Sequence, residues 1–286
     1  MIPTLLGGRS LRRQLALRRQ RALLRRRVAS ALDIAGFPAA REEARELVAA
    51  AAGDEPLVDR WLARRVDGEP MAWITGSATF CGQPIRVDPG VYVPRPQSEA
   101  LARRAAARLP PRGLAADLAT GSGALAVVMQ RARPGARVVG TDLDPTACRC
   151  ARSNGVEVWE GDLGAPVPVQ LWGHFDVVTA VVPYVPSEHL EHLPRDVRRH
   201  EPCLALDGGP GGLASLEPAT HWAATLLRPG GTLMLELGAR QDAALLPALT
   251  AAGFGLAGRL FDADGDLRGV EALRRPQPGS SPTRAG

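Results

Sequence analysis

Lysine is absent from the 286 residues, so all 35 side-chain cations of the Lys/Arg class are arginines. That excludes Schiff-base chemistry on a side-chain amine and the phosphate loop that requires a lysine. Cysteine is scarce, and the four present (Cys81, Cys148, Cys150 and Cys203) have no zinc-type spacing. Cys148-x-Cys150 falls one residue short of a redox pair, so free thiols in a reducing, cytoplasmic setting are expected. No apolar run approaches the ~18 residues that a membrane-spanning helix needs. What remains, 45% apolar and 23% charged residues, is the composition of a soluble globular chain long enough for one large domain and a smaller one.

The net charge of +5 is unevenly placed. Residues 1–32 carry nine arginines and no acid, so the rest of the chain is net acidic. Residues 11–32 alternate arginine with leucine, alanine and valine at helical spacing. This predicts an amphipathic helix with solvated arginines; an acidic or RNA partner and an organellar presequence are the alternatives. Helical spacing returns over 39–52 and 56–66, with Gly36, Pro38 and Gly53 as punctuation, so three or four short helices are expected.

Beyond Glu69 the pattern changes. Residues 78–80 and 82–87, with Asp88-Pro89-Gly90 and 91–93, read as short strands around turns, a hairpin joining two domains. From Pro96 onward, apolar strand candidates at 114–118, 137–141, 156–159, 175–181 and 232–237 alternate with helical patterns, which predicts an α/β parallel sheet. Two last strands, 254–261 and 270–273, flank Asp262-Ala-Asp-Gly-Asp266, an acidic turn lacking the glycine and glutamate of a calcium loop. The expected organisation is a helical domain over 1–75, a hairpin linker over 76–95, an α/β domain over 96–274 and a disordered proline- and serine-rich tail over 275–286.

The chain is organised around Asp117-Leu118-Ala119-Thr120-Gly121-Ser122-Gly123: a buried strand, a glycine turn and the start of a helix over 124–133. That layout brings a nucleotide-like ligand against a helix start, and Gly121-x-Gly123-x-x-Ala126 also fits the relaxed dinucleotide fingerprint. Asp142, closing the second strand, can accept hydrogen bonds from both ribose hydroxyls of an adenosine cofactor, while Asp144 is the better N-cap for the helix beginning near Pro145. Asp162 could meet an adenine amino group and Leu163 could cover the ring; both could equally be turn residues. The fourth strand runs into a stiff loop, Val181-Val182-Pro183-Tyr184-Val185-Pro186, in which Tyr184 could clamp a planar acceptor.

These residues resemble the protein-glutamine N(5)-methyltransferases that modify peptide chain release factors, the HemK type. The matching stretches are 69–76, Phe80-x-Gly82, Val91-Tyr-Val-Pro-Arg-Pro96 with Glu99, and 117–123. Downstream come Phe175-Asp176, Pro183-Tyr184, 201–209, Gly212-Leu213 and Leu235-Glu-Leu-Gly238 with Gln241. The resemblance implies a class I, Rossmann-like methyltransferase domain behind an N-terminal helical domain and a β-hairpin. It implies S-adenosylmethionine on Asp117, Ala119, Thr120, Gly121, Ser122, Gly123, Asp142, Asp162 and Leu163, and no metal. It also implies a release factor as protein substrate docked by the helical domain; a monomer is expected, with no membrane partner, and direct nucleic-acid binding is not expected because the domain after residue 96 has no basic excess.

One departure touches the chemistry. The family has Asn-Pro-Pro-Tyr where this chain has Val181-Val182-Pro183-Tyr184, and the single asparagine, Asn154, lies elsewhere. Gln97-Ser98 likewise replaces an acid and a threonine. Pro183, Tyr184 and the carbonyl of Val182 are expected to hold the acceptor, with Val181 unable to accept a hydrogen bond. A different acceptor, or a paralogue that binds without catalysing, are the rival expectations.

Overall fold

The structure is a computed structural model that describes residues 6–238, 240–262 and 264–276, without the side chains of 6–13, 195 and 196. Its contacts divide into two compact units, Met1–Gly76 and Ser77–Gly286. The first unit holds α1 (Leu6–Ile34), α2 (Ala40–Ala50), α3 (Glu55–Val66) and α4 (Met71–Thr75). The first helix, at 29 residues, is longer than the short helices expected, and only the second half of its apolar pattern meets partners among the described residues. Leu24, Val28 and Leu32 are buried against Ala44, Leu47, Val48 and Val58, whereas residues 14–23 are exposed. Asp54 caps α3 by accepting the Leu57 N–H at 3.1 Å. Arg65, also on α3, is buried; Glu43 accepts two hydrogen bonds from its guanidinium at 2.6 and 2.9 Å. Such a bidentate pair compensates the charge it removes from water.

The second unit begins with the hairpin β1 (Ser77–Phe80) and β2 (Gln83–Arg86). It then runs α5 (Glu99–Arg108), β3 (Leu114–Leu118), α6 (Ala124–Ala132), β4 (Arg137–Asp142), α7 (Pro145–Ser153) and β5 (Glu157–Glu160). The chain continues through β6 (Phe175–Ala180), α8 (Arg195–His200), α9 (Leu216–Leu226), β7 (Leu227–Glu236), α10 (Gln241–Ala251), β8 (Phe254–Phe261) and β9 (Leu267–Arg274). The hairpin groups with this unit, and Phe80 and Ile85 are fully buried among residues of α5 and α6. Residues 91–93, expected as strand, run as irregular chain: the Val91 N–H closes a turn onto the Asp88 carbonyl at 3.1 Å, and Pro94 and Pro96 supply no ladder donors.

Seven strands form one sheet in the order β5-β4-β3-β6-β7-β9-β8, parallel through β7 and antiparallel for the last two. The parallel strands are apolar on both sides because both faces are covered. Ala115, Val138, Val177 and Met234 face residues of α5, α6 and α7; Ala116, Val139, Val178 and Leu233 face residues of α9 and α10. Arg104 and Arg108 of α5 both donate to the buried carboxylate of Glu271 on β9, at 2.7 and 2.6 Å, fixing the helix across the sheet. Sequence boundaries shift by a residue at β5 and β6, and β7 starts earlier than expected. Arg275, placed in the tail by its sequence, donates its backbone N–H to Gly253 at 2.9 Å; residues 277–286 lie outside the described residues.

The β3–α6 turn depends on Gly123, the helix N-cap, at φ +80. A Cβ there would lie 2.9 Å from Val156 Cγ2 and 3.2 Å from Ala151 Cβ. Left-handed strain and overpacking together predict that Gly123→Ala lowers unfolding free energy by about 2–4 kcal/mol. Urea denaturation measures this, and a loss under about 0.5 kcal/mol would contradict the account.

Candidate active site

The chain leaves β3 to build β4 and β5 on one side, then returns to lay β6 against the other side of β3. Loops leaving β3 and β6 therefore part in opposite directions at the carboxyl ends of adjacent strands, the position where open α/β sheets bind ligands. A cleft of about 360 Å³ opens there. It collects Asp117, Ala119, Thr120, Gly121, Ser122, Asp142, Asp162 and Leu163 from one side and Val181, Val182, Pro183 and Tyr184 from the other. Of the residues expected at the site, Gly123 alone does not line it; it acts behind the wall, as the cap described above.

The glycine turn is tied down at each residue. Thr120 donates its N–H to the Thr141 carbonyl at 2.9 Å, and Gly121 donates its N–H to Asp142 Oδ2 at 2.8 Å. Asp142 Oδ1 accepts from the Asp144 N–H at 2.9 Å, and Asp144 in turn caps α7 through the Thr146 N–H at 2.7 Å. Asp142 thus couples the first and second strand ends. Asn154 is fully engaged in the same framework. Its side-chain oxygen accepts the Arg86 N–H, and its amide donates to the carbonyls of Arg86 and Ser122, joining hairpin to glycine turn. Nothing in the sequence marks that role, because its three contacts come from segments 32 and 68 residues away. Ala119 and Leu163, two of the five described non-glycine residues with left-handed φ, line the cleft at +54 and +45.

Among the described residues the lining contains five carboxylates, at Asp117, Asp142, Asp144, Asp162 and Asp207, and no arginine or histidine. Asp117 is buried at the floor, where its two oxygens accept hydrogen bonds from the Thr120 and Thr179 hydroxyls, each at 2.6 Å. Burial pushes its pKa up to about 6, with those hydroxyls opposing the rise. Burial also raises Asp142, opposed by the N–H groups of Asp144 and Gly121. Among the described lining residues no side-chain cation would offset a pyrophosphate's charge, whereas a cationic adenosine derivative suits the acidic wall. S-adenosylmethionine fits on these grounds. Gly121 leaves its Cβ position open, with nothing within 4 Å, Asp142 has capacity for hydroxyls, and Leu143 and Leu163 supply apolar cover for a base.

The other end of the cleft is apolar and stiff. Val182 is 2% exposed and joins the core layer under α9 and α10, whereas Val181 packs against the opposite layer. The two valines therefore do not form a shared side-chain wall; residue 182 offers the cleft mainly its backbone. Tyr184 donates its phenol to Glu236 Oε1 at 2.9 Å, and burial followed by that carboxylate's charge raises its pKa. Val185 and Gly208 are joined by an N–H to carbonyl bond at 2.8 Å, so a second strand segment braces the loop. Tyr92, Ser98 and Asp207 also line the cleft, although the stretches that contain them carry no site assignment from the sequence.

Asp117 gives the site a pH signature. Its folded value of about 6 lies above the unfolded 3.8, so the native chain holds the extra proton between them and stability falls as pH rises through that window. The contribution is about 3 kcal/mol at one pKa unit per 1.4 kcal/mol. Relative to wild type, Asp117→Asn should gain that amount between pH 4 and pH 7, read from melting temperatures at each pH. A constant difference would contradict the burial argument.

Residues 115–201 match the family described as "Methyltransferase domain". The release factor glutamine methyltransferase of Bradyrhizobium diazoefficiens is 38% identical over 232 residues, covering 77% of this chain and 76% of that protein. The release factor glutamine methyltransferase of Geobacter sulfurreducens is 37% identical over 199 residues, 68% of this chain and 69% of its own. A 4-amino-L-phenylalanine/4-methylamino-L-phenylalanine methyltransferase of Streptomyces pristinaespiralis is 39% identical over 205 residues, 68% of this chain and 69% of its own. The chain belongs to the release factor glutamine methyltransferase family, α/β enzymes that take their methyl group from S-adenosylmethionine.

Proposed function

We propose that this protein methylates the side-chain amide nitrogen of the glutamine in the Gly-Gly-Gln loop of a peptide chain release factor. The observation that carries the reading is the placement of the Val182–Tyr184 segment across one cleft from the glycine turn, within a chain so similar to release factor enzymes. In this reading Ala119–Gly123, Asp142, Asp162 and Leu163 hold the cofactor, Asp142 through the ribose hydroxyls. Asp117 supports the turn from beneath through Thr120. The N-terminal helical unit serves substrate docking.

S-adenosylmethionine supplies a methyl group on a positively charged sulfur that departs as a neutral thioether, so neither a metal nor a strong base is needed. The difficulty lies in the acceptor. An amide lone pair is delocalised into its carbonyl, and the chain's contribution is to fix the nitrogen in line. The Val182 carbonyl can accept one amide N–H, and the Tyr184 ring can cover the amide plane. Val181 cannot accept the second N–H. Leaving it unpaired costs about 1–3 kcal/mol, roughly ten- to a hundredfold in rate.

That missing acceptor favours one second reading, an aromatic amine as acceptor, which is the substrate class named for the Streptomyces pristinaespiralis relative. An aniline nitrogen keeps more of its lone pair than an amide and depends less on a second hydrogen bond.

Radiolabelled S-adenosylmethionine offered with release factors from the same organism, and separately with 4-amino-L-phenylalanine, decides between the readings. Label on the Gly-Gly-Gln glutamine is expected; label on the amino acid alone supports the second reading. Val181→Asn should raise glutamine methylation about ten- to a hundredfold, and an unchanged or lower rate would count against glutamine as the acceptor. Asp142→Ala should weaken cofactor binding by at least about tenfold in calorimetry, since charged hydrogen bonds to two hydroxyls are removed. Retained affinity would remove Asp142 from the binding site.

A further inference from the structure

Tyr184 is restrained at both its ring and its backbone. Its phenol donates to Glu236, the last residue of β7, which is 0% exposed. Its carbonyl accepts a hydrogen bond from Gln241 Nε2 at 2.8 Å; Gln241 is the first residue of α10 and is also buried. Gln241 is itself fixed, donating to the Gly211 carbonyl at 3.0 Å and accepting the Gly238 N–H at 2.7 Å. The contact is so close that a Cβ on Gly212 would sit 2.2 Å from the Tyr184 carbonyl oxygen, which only glycine permits. A buried carboxyl is costly, and this one bonds to the phenol of a cleft residue, with Ser98, Arg268 and Arg95 as further neighbours that favour its charge. No step of methyl transfer uses it.

We propose that Glu236 and Gln241 are positioning residues for methyl transfer, setting the plane of the Tyr184 ring and the course of the Val182–Tyr184 backbone that receives the acceptor nitrogen. This rests on the reading that the Tyr184 side of the cleft is the acceptor side. The ring bond fixes orientation and the carbonyl bond fixes depth, and neither residue lines the cofactor end. A displacement near 1 Å in such a support can cost about a hundredfold in rate without touching the reactants. The inference extends to either acceptor, because a glutamine amide and an aromatic amine both present a flat group to the ring.

The test compares Glu236→Leu, which removes the acceptor of the phenol, with Glu236→Gln, which keeps shape and one oxygen. On whichever acceptor wild type methylates, Glu236→Leu should lower kcat about ten- to a hundredfold with the S-adenosylmethionine Kd within about twofold, and Glu236→Gln should restore most of the rate. Gln241→Leu should follow the leucine variant. In a Tyr184→Phe background, Glu236→Leu should cost no more than about twofold further, because the shared contact is already gone. Equal losses in the two Glu236 variants, additive losses in the double variant, or a cofactor Kd that moves as far as kcat would each overturn the proposal. The chain has only two tyrosines, Tyr92 and Tyr184, so ring-carbon NMR of labelled tyrosine reads the contact directly and needs no acceptor. The Tyr184 Cζ signal, assigned through Tyr184→Phe, should move in Glu236→Leu; an unmoved signal sinks the idea even if neither acceptor is labelled. Failure of the release factor reading shows in wild type, whereas failure of this inference shows in the variants.

Discussion

Uncompensated negative charge governs the cleft. Five aspartates line it in a chain that carries 35 arginines, and no arginine among the described residues reaches the lining. Two of the acids, Asp117 and Asp142, are pushed toward protonation by burial and are restrained by hydroxyl and backbone donors. A polyphosphate ligand would deepen the repulsion, whereas a ligand bearing a sulfonium and an ammonium relieves it. The preference for one nucleotide cofactor over another is thus set by what the wall lacks as much as by the glycine turn beside it.

The same constraint separates the two ends of the cleft. At the cofactor end, polar groups are abundant and held by backbone donors, with Asp142 and Asn154 tying β4, the hairpin and the glycine turn into one frame. At the Val181–Tyr184 end, Val181 and Pro183 present carbon and the Tyr184 hydroxyl is turned onto Glu236, which leaves Asp207 beside Val185 as the charged side chain there. With it stand backbone polarity and a flat ring, both immobilised by Glu236, Gln241 and the paired segment around Gly208. Rigidity has been kept while one hydrogen-bond acceptor has been lost. On the proposed reading, that combination suits catalysis by positioning.

Much of this was legible beforehand where a local pattern carries the physics. Leu114–Leu118 and Phe254–Phe261 have the bounds expected from their apolar runs, and Asp144 caps α7 as its position before Pro145 implies. Illegible were features made by distant partners. Asn154 looks like a turn residue, yet it bonds across 68 residues to Arg86. Val181 and Val182 are two adjacent apolar residues by sequence, but successive residues leaving a strand point to opposite faces, and Val182 belongs to the core. The run at 91–93 alternates like a strand, but its neighbours are a turn and two prolines, and it forms no ladder.

By itself the sequence determined the succession of strands and helices, the glycine turn with its flanking acids and the membership of a methyltransferase family, because periodicity, turn chemistry and motif order are local properties. Only the tertiary structure decided which loops share a cleft, that no cation among the described residues enters it, and that a glutamate and a glutamine 52 and 57 residues beyond Tyr184 hold its ring and its backbone carbonyl respectively. Those are consequences of strand order: β6 returns beside β3, β7 lies beside β6, and the ends of all three meet at one edge of the sheet.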